Sequence, residues 1–167
     1  VLWILPLFTA ASALGIATMI VYYLAREEII DLNGQTQGIL DVLVLGAATD
    51  YALLLIARYR EELHQHQSKF DAMRIALRGV VEPIIASGST VIAGLMVLLL
   101  SDLSSNRGLG PVGSIGIASS MLAVLTLLPA LLIIFGRWIF WPKIPRFDEV
   151  DEKLSGLWSK VGNLVDR

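Results

Sequence analysis

The chain has 167 residues, of which 55% are hydrophobic and 17% charged, with a mean hydropathy of +0.69; soluble domains seldom have so apolar a composition. A net charge of −2 gives no electrostatic footprint for a nucleic-acid partner, and the lack of any cysteine excludes a disulfide or a thiolate metal site. What remains is an all-α membrane protein, because a hydrocarbon core about 30 Å thick is crossed by roughly 20 mostly apolar residues in a helix.

Four stretches meet that length, at 3–24, 38–57, 83–101 and 110–136. The first carries Pro6 near its start, where a missing N–H matters least, and closes with Tyr22 and Tyr23, an interfacial aromatic pair. No basic run precedes it and the sequence opens at Val1, so it reads as a span within a fragment and not as a signal peptide. Charge is segregated between the connections. The loop after the second span holds Arg58, Arg60, Lys69, Arg74 and Arg78, whereas the loop after the first sets Arg26 against Glu27, Glu28 and Asp31. The positive-inside rule therefore predicts that Val1, the 58–82 loop and the tail from Arg137 are cytoplasmic.

The second span carries the chemistry. Asp50 lies deep in the apolar stretch from Ile39 to Ala57, where a carboxylate costs roughly 2.5–3.5 kcal/mol, and such acids normally face a protein interior and serve an ion or proton pathway. Gly46-Ala47-Ala48-Thr49 just before it has almost no side-chain bulk, so a neighbouring helix can approach the backbone closely. Gly46 and Asp50 are four apart and share a face that Leu43 and Leu53 extend, which predicts that Asp50 points into a packed helix seam. Tyr51, about 100° further round, can donate or accept a hydrogen bond. The plainer reading is a buried carboxylate that holds two helices together. Asp41 lies near the helix entrance and is expected to be solvated. Arg58 and Arg60 suit the last turn of the helix and the headgroup layer. His64 and His66, two apart, fall on different helix faces and make a poor metal pair.

Phe70 to Val80 alternates apolar and charged residues in a pattern that predicts a short interfacial helix. Glu82-Pro83 then opens the third span with proline at its tolerated first position. Ser87-Gly88-Ser89-Thr90 brings hydroxyls to a depth like that of Asp50, and Ser87 and Thr90 can bond across helices, hold water, or simply pack. The fourth span carries the small residues Gly110, Gly113, Gly116, Ser119 and Ser120, which predict close packing against another helix. Pro129 leaves the carbonyl of Leu125 without its usual partner, so a kink is expected there, with Thr126 placed to satisfy freed backbone groups. Trp138, Phe140 and Trp141 mark the interface. The chain divides at Pro142 into a transmembrane part, 1–142, and a polar remainder, 143–167, in which Val150, Leu154, Leu157, Trp158 and Val161 recur at the spacing of an amphipathic cytoplasmic linker helix.

The run Gly46-Ala47-Ala48-Thr49-Asp50-Tyr51-Ala52-Leu53-Leu54-Leu55-Ile56-Ala57-Arg58-Tyr59-Arg60-Glu61-Glu62-Leu63 closely resembles the fourth transmembrane helix of the MMPL family (mycobacterial membrane protein large), within the RND superfamily of transporters. Val81 to Gly88, Leu100 to Leu103, Leu125 to Leu131 and Gly136 to Pro142 resemble its fifth and sixth helices in the actinobacterial branch. The resemblance implies helices three to six of the first half of a proton-motive-force-driven exporter of lipids or hydrophobic compounds in the cell membrane. It implies no cofactor and no enzyme activity. In such a protein Asp50 and Tyr51 would be the proton relay, and the partners would be the bilayer, protons, an amphiphilic substrate, and the remaining helices and extracytoplasmic porter domain. Ala93-Gly94 stands where lipid exporters of the family often carry a serine. Three other classes compete: a sterol-sensor-like regulatory bundle that binds lipid without pumping, an assembly subunit, and an intramembrane aspartyl protease, which needs two facing acids where these spans supply one.

Overall fold

The structure, a computed structural model, describes residues 3–30, 33–101 and 104–136, with side chains at 104–106 left aside; the predicted linker helix and Trp138, Phe140 and Trp141 lie outside the described residues. Four helices account for it: α1 (Ile4–Arg26), α2 (Gly34–Gln65), α3 (Lys69–Met96), prolonged by a 3-10 turn over Val97–Leu100, and α4 (Ser104–Phe135). Each carries a stretch long and apolar enough to cross a membrane.

Local chemistry sets the ends. Asn33 caps α2, its Oδ1 accepting from the backbone N–H of Thr36 (2.8 Å) and from the Thr36 hydroxyl (3.0 Å). Ser68 caps α3 by accepting from the Asp71 N–H. After α4 comes Gly136 with φ +59°, a left-handed position that glycine occupies without steric cost.

The helices are longer than the predicted spans, and one predicted boundary is corrected. The interfacial helix expected over 70–80 is not a separate element, and Pro83 does not open a new helix: α3 runs unbroken through both. Ala72, Met73, Ala76, Val80, Ile84 and Gly88 form one continuous buried stripe, and that burial outweighs the single backbone bond to Gly79 that Pro83 removes. In α2, Tyr59, Glu62 and Leu63 likewise carry the buried stripe past Ala57, so the helix continues to Gln65.

Helix α4 packs against each of the other three. Glycines make this possible. A Cβ on Gly110 would stand 2.8 Å from the backbone oxygen of Leu95, one on Gly116 would stand 2.6 Å from Leu40 Cδ1 and 2.7 Å from Val44 Cγ2, and one on Gly88 would collide with the Met121 side chain. Helix α1 buries an alanine stripe, Ala10, Ala13 and Ala17, and turns Leu7, Phe8, Ile16 and Met19 outward. Leu40 and Val44 meet Gly116, and Val44 also meets Ser120, in the order that makes α2 and α4 run in the same direction.

Polar groups gather at the arginine-rich end. Glu62 is buried and takes Arg58 Nη2 at 2.9 Å on one carboxylate oxygen and His66 Nδ1 at 3.5 Å on the other, while Arg58 Nη1 reaches Glu61 at 2.7 Å. Lys69, at the first position of α3 where a cation opposes its own helix dipole, donates instead to the Ile133 carbonyl of α4 at 2.9 Å. There it satisfies an orphan acceptor at a negative helix end.

Two stability predictions follow from these contacts. Gly110→Ala should lower the unfolding free energy by about 1–3 kcal/mol, because backbone cannot yield as a side chain can, whereas Gly15→Ala, which meets nothing within 4 Å, should be neutral or slightly stabilising; thermal unfolding of the full-length protein in detergent measures both. Glu62→Gln should cost about 1 kcal/mol in the same assay, kept small by the partial exposure of Arg58.

Candidate functional site

Asp50 sits midway along α2, roughly 23 Å from either end. The predicted seam is not where the sequence placed it. Asp50 is exposed, Gly46 has open space where a Cβ would stand, Leu53 is 60% exposed, and Leu43 and Ala47 are half-buried. The stripe that packs is the next one round: Leu40, Val44, Ala48, Ala52 and Leu55, all fully buried. Gly46 therefore does not serve as a packing surface within these four helices, and Ala47 lies at the edge of the packed stripe. The physical reason lies in α4. Leu40 and Val44 straddle Gly116, and the Ser120 hydroxyl donates to the Gly116 carbonyl (2.9 Å) and approaches the Val44 carbonyl (3.3 Å). A helix turned by that contact leaves Asp50 about 100° round from the notch, outside the packed stripe.

Tyr51 lies on the flank between the two faces, half-buried and packed against the core. Thr49, one residue before Asp50, has its hydroxyl tied to the Leu45 carbonyl at 2.7 Å and the Gly46 carbonyl at 2.9 Å. Among the described residues no hydrogen bond or ion pair is made by Asp50, so the plainer reading of a carboxylate holding two helices together finds no support in these four.

The hydroxyls expected near the acid are present on α3 but not joined to it. Ser87 and Thr90 are exposed, and Thr90 donates to the Ala86 carbonyl of its own helix at 2.8 Å. Helix α3 is the barest of the four, with 11% of its most apolar window buried against 44% for α4. Asp41, expected to be solvated, is half-buried and accepts a hydrogen bond from Gln37 Nε2 at 2.9 Å. Pro129 lies within α4, which runs on to Phe135. Thr126 does not serve the freed Leu125 carbonyl; its hydroxyl donates to Leu122 at 2.6 Å. Among the described residues no three His, Cys, Asp or Glu side chains come together as metal ligands.

Two features were missed in the sequence. The small stripe of α4 was read correctly as a packing surface, but its partner, the acid-bearing helix, was not identified; the alanine spacing of α2 at Ala48 and Ala52 was the available signal. Glu62 gave no signal of burial beyond its place on the Tyr59 and Leu63 side.

The MMPL family model matches residues 1–167. A putative membrane protein, ActII-3, of Streptomyces coelicolor is 51% identical over 98% of this chain and 23% of its own length. The apo-petrobactin exporter of Bacillus anthracis is 39% identical over 96% of the chain and 22% of its own length, and the sulfolipid-1 exporter MmpL8 of Mycobacterium tuberculosis is 32% identical over 81% and 13%. No solved structure matches. The chain thus spans a quarter or less of the length of these relatives, and it is a multi-pass membrane segment that belongs to the MMPL family.

Proposed function

We propose that this chain is the four-helix segment of a proton-coupled exporter of lipids or other hydrophobic compounds, with Asp50 and Tyr51 as its intramembrane proton relay. The observation that carries the reading is an acid midway along an apolar helix, on a face its own bundle leaves bare. Exposed to acyl chains, that carboxylate would cost roughly 2.5–3.5 kcal/mol. Such a face belongs against a water-lined path or further protein, and relatives four or more times as long have protein to supply. Two relatives named as exporters, one of apo-petrobactin and one of sulfolipid-1, support export of a compound in preference to its chemical transformation, and the second supports a lipid.

In this reading the arginine-rich end, formed by the last turns of α2 and the first turns of α3, faces the cytoplasm with both chain ends, and Arg60, Arg74 and Arg78 remain exposed there. A proton reaching Asp50 from outside neutralises it and removes the electrostatic cost of an apolar contact across that face. Release inward restores the charge and reopens the contact. Tyr51, anchored by its ring in the core, can pass or accept a hydrogen bond beside the carboxylate as it changes state. Each proton contributes roughly 2.3 kcal/mol per 100 mV of membrane potential and roughly 1.4 kcal/mol per pH unit of gradient. These amounts suffice to bias a conformational equilibrium of a few kcal/mol.

The test is export by the full-length protein in energised vesicles. Asp50→Asn should reduce proton-driven export by about 10²-fold or more and Tyr51→Phe by less, since removing a positioned proton carrier costs on that scale. Full export by Asp50→Asn, abolished by collapsing the gradient as in wild type, would refute the relay.

A further inference from the structure

The contact between α2 and α4 lies about 9 Å along the helix from Asp50, six residues before it. At Gly116 two side chains of α2 come so close to the α4 backbone that the missing Cβ is the condition of the fit: Leu40 Cδ1 and Val44 Cγ2 would lie 2.6 and 2.7 Å from it. One turn further on, Ser120 is fully buried, with its hydroxyl bonded to the Gly116 carbonyl and beside that of Val44. Ala48 and Ala52 continue the fit with side chains too small to hold the helices apart. Val44, with its stiff β-branched side chain, cannot swing clear of an added methyl as a methionine could. The notch therefore fixes both the height and the rotation of α2 on α4.

That rotation decides where Asp50 points. Leu40 and Val44 face α4 at the notch, and Asp50 lies about 100° round the helix from the midpoint between them, on an exposed flank. Between the notch and Asp50 lies less than two turns of α-helix, too short and stiff to absorb a displacement.

We infer that Gly116 and Ser120 are positioning residues for Asp50: the α4 notch sets the depth and direction in which α2 presents its carboxylate. This rests on the relay reading for its functional consequence, but not for its geometry. A misplacement near 1 Å at a proton-transfer group can cost up to about 10²-fold in rate, so the notch governs turnover of the transporter without touching proton or substrate.

The experiment uses the full-length protein in liposomes. The probe of Asp50 is dicyclohexylcarbodiimide, an apolar reagent that labels protonated carboxyls within membranes, with labelling at Asp50 quantified by peptide mass spectrometry. Gly116→Ala should change the labelling rate of Asp50 by about threefold or more and lower kcat for export by about tenfold with KM little changed. Adding Val44→Ala, which removes the one of the two colliding methyls that cannot rotate away, should restore both, because the flexible end of Leu40 can yield. Ser120→Ala, which introduces no bulk, should move both in the same sense by a smaller factor. Gly38→Ala, on the same helix with nothing within 4 Å of its Cβ, should leave both at wild-type values. Labelling and kcat unchanged in Gly116→Ala and Ser120→Ala, or a loss in Gly116→Ala that Val44→Ala does not repair, overturns the inference. Should Asp50→Asn export normally while Gly116→Ala still shifts labelling, the relay fails and the positioning stands.

Discussion

The seating of α2 against α4 at Gly116 is the constraint on which the arrangement of the chain depends. In lipid there is little hydrophobic gain in bringing two apolar helices together, so association relies on close van der Waals fit and a few interhelical hydrogen bonds. Glycine at 116 admits Leu40 and Val44 to contact. With that face of α2 committed, Ala48 and Ala52 must follow it into the interior, and the face carrying Gly46, Asp50 and Leu53 must turn out. Helix α4 then offers its other sides to α1 and to α3, the latter through Gly110 against the Leu95 carbonyl.

Polar bonds reinforce the same centre. Ser120 reaches toward α2 midway along the bundle, and Lys69 ties the start of α3 to the last turn of α4. Pro129 lies between these two points, where one backbone bond is missing. The segment of α4 that can bend most easily is therefore held at both ends, by α2 on one side and by the α2–α3 turn on the other. Glu62, buried on α2 with Arg58 and His66 around it, stiffens the same end from within.

Much of the architecture was legible in the sequence because the membrane imposes one simple rule, about 20 apolar residues per crossing. Helix lengths were underestimated where burial continued past the apolar stretch, as at Tyr59 and Leu63 in α2, because hydropathy counts residues and ignores which side of the helix they fall on. Pro83 was read as a boundary because local propensity disfavours proline inside a helix; the continuous stripe from Ala72 to Gly88 overrode it. At the acid, composition identified Asp50 as exceptional but could not fix its direction. Both Gly46 and the Ala48–Ala52 pair offer a small-residue face, and choosing between them requires the partner helix, which lies some seventy residues away in the chain.

The outward surfaces of this bundle differ from helix to helix. Helix α1 exposes Leu7, Phe8, Ile16 and Met19, large apolar side chains that acyl chains solvate without cost. Helix α2 exposes Gly46, Asp50 and Ala57 in one sector, together with Val42 and Leu53, and α3 exposes Ala86, Ser87, Ser89, Thr90, Ala93 and Gly94 beside Ile85 and Val91. Small and hydroxylated residues gain little by facing lipid, since their advantage in a membrane is that they let another backbone approach or hold a polar group. A carboxylate in lipid is worse, by an amount comparable to a sizeable share of a protein's net stability. Helix α1 therefore carries the chemistry of a lipid boundary, while the bare faces of α2 and α3 mix such apolar side chains with a carboxylate, hydroxyls and small residues suited to an interface. The relatives matched are several times longer than this chain, and a sector that sets a carboxylate beside small and hydroxylated residues has the chemistry to meet further protein.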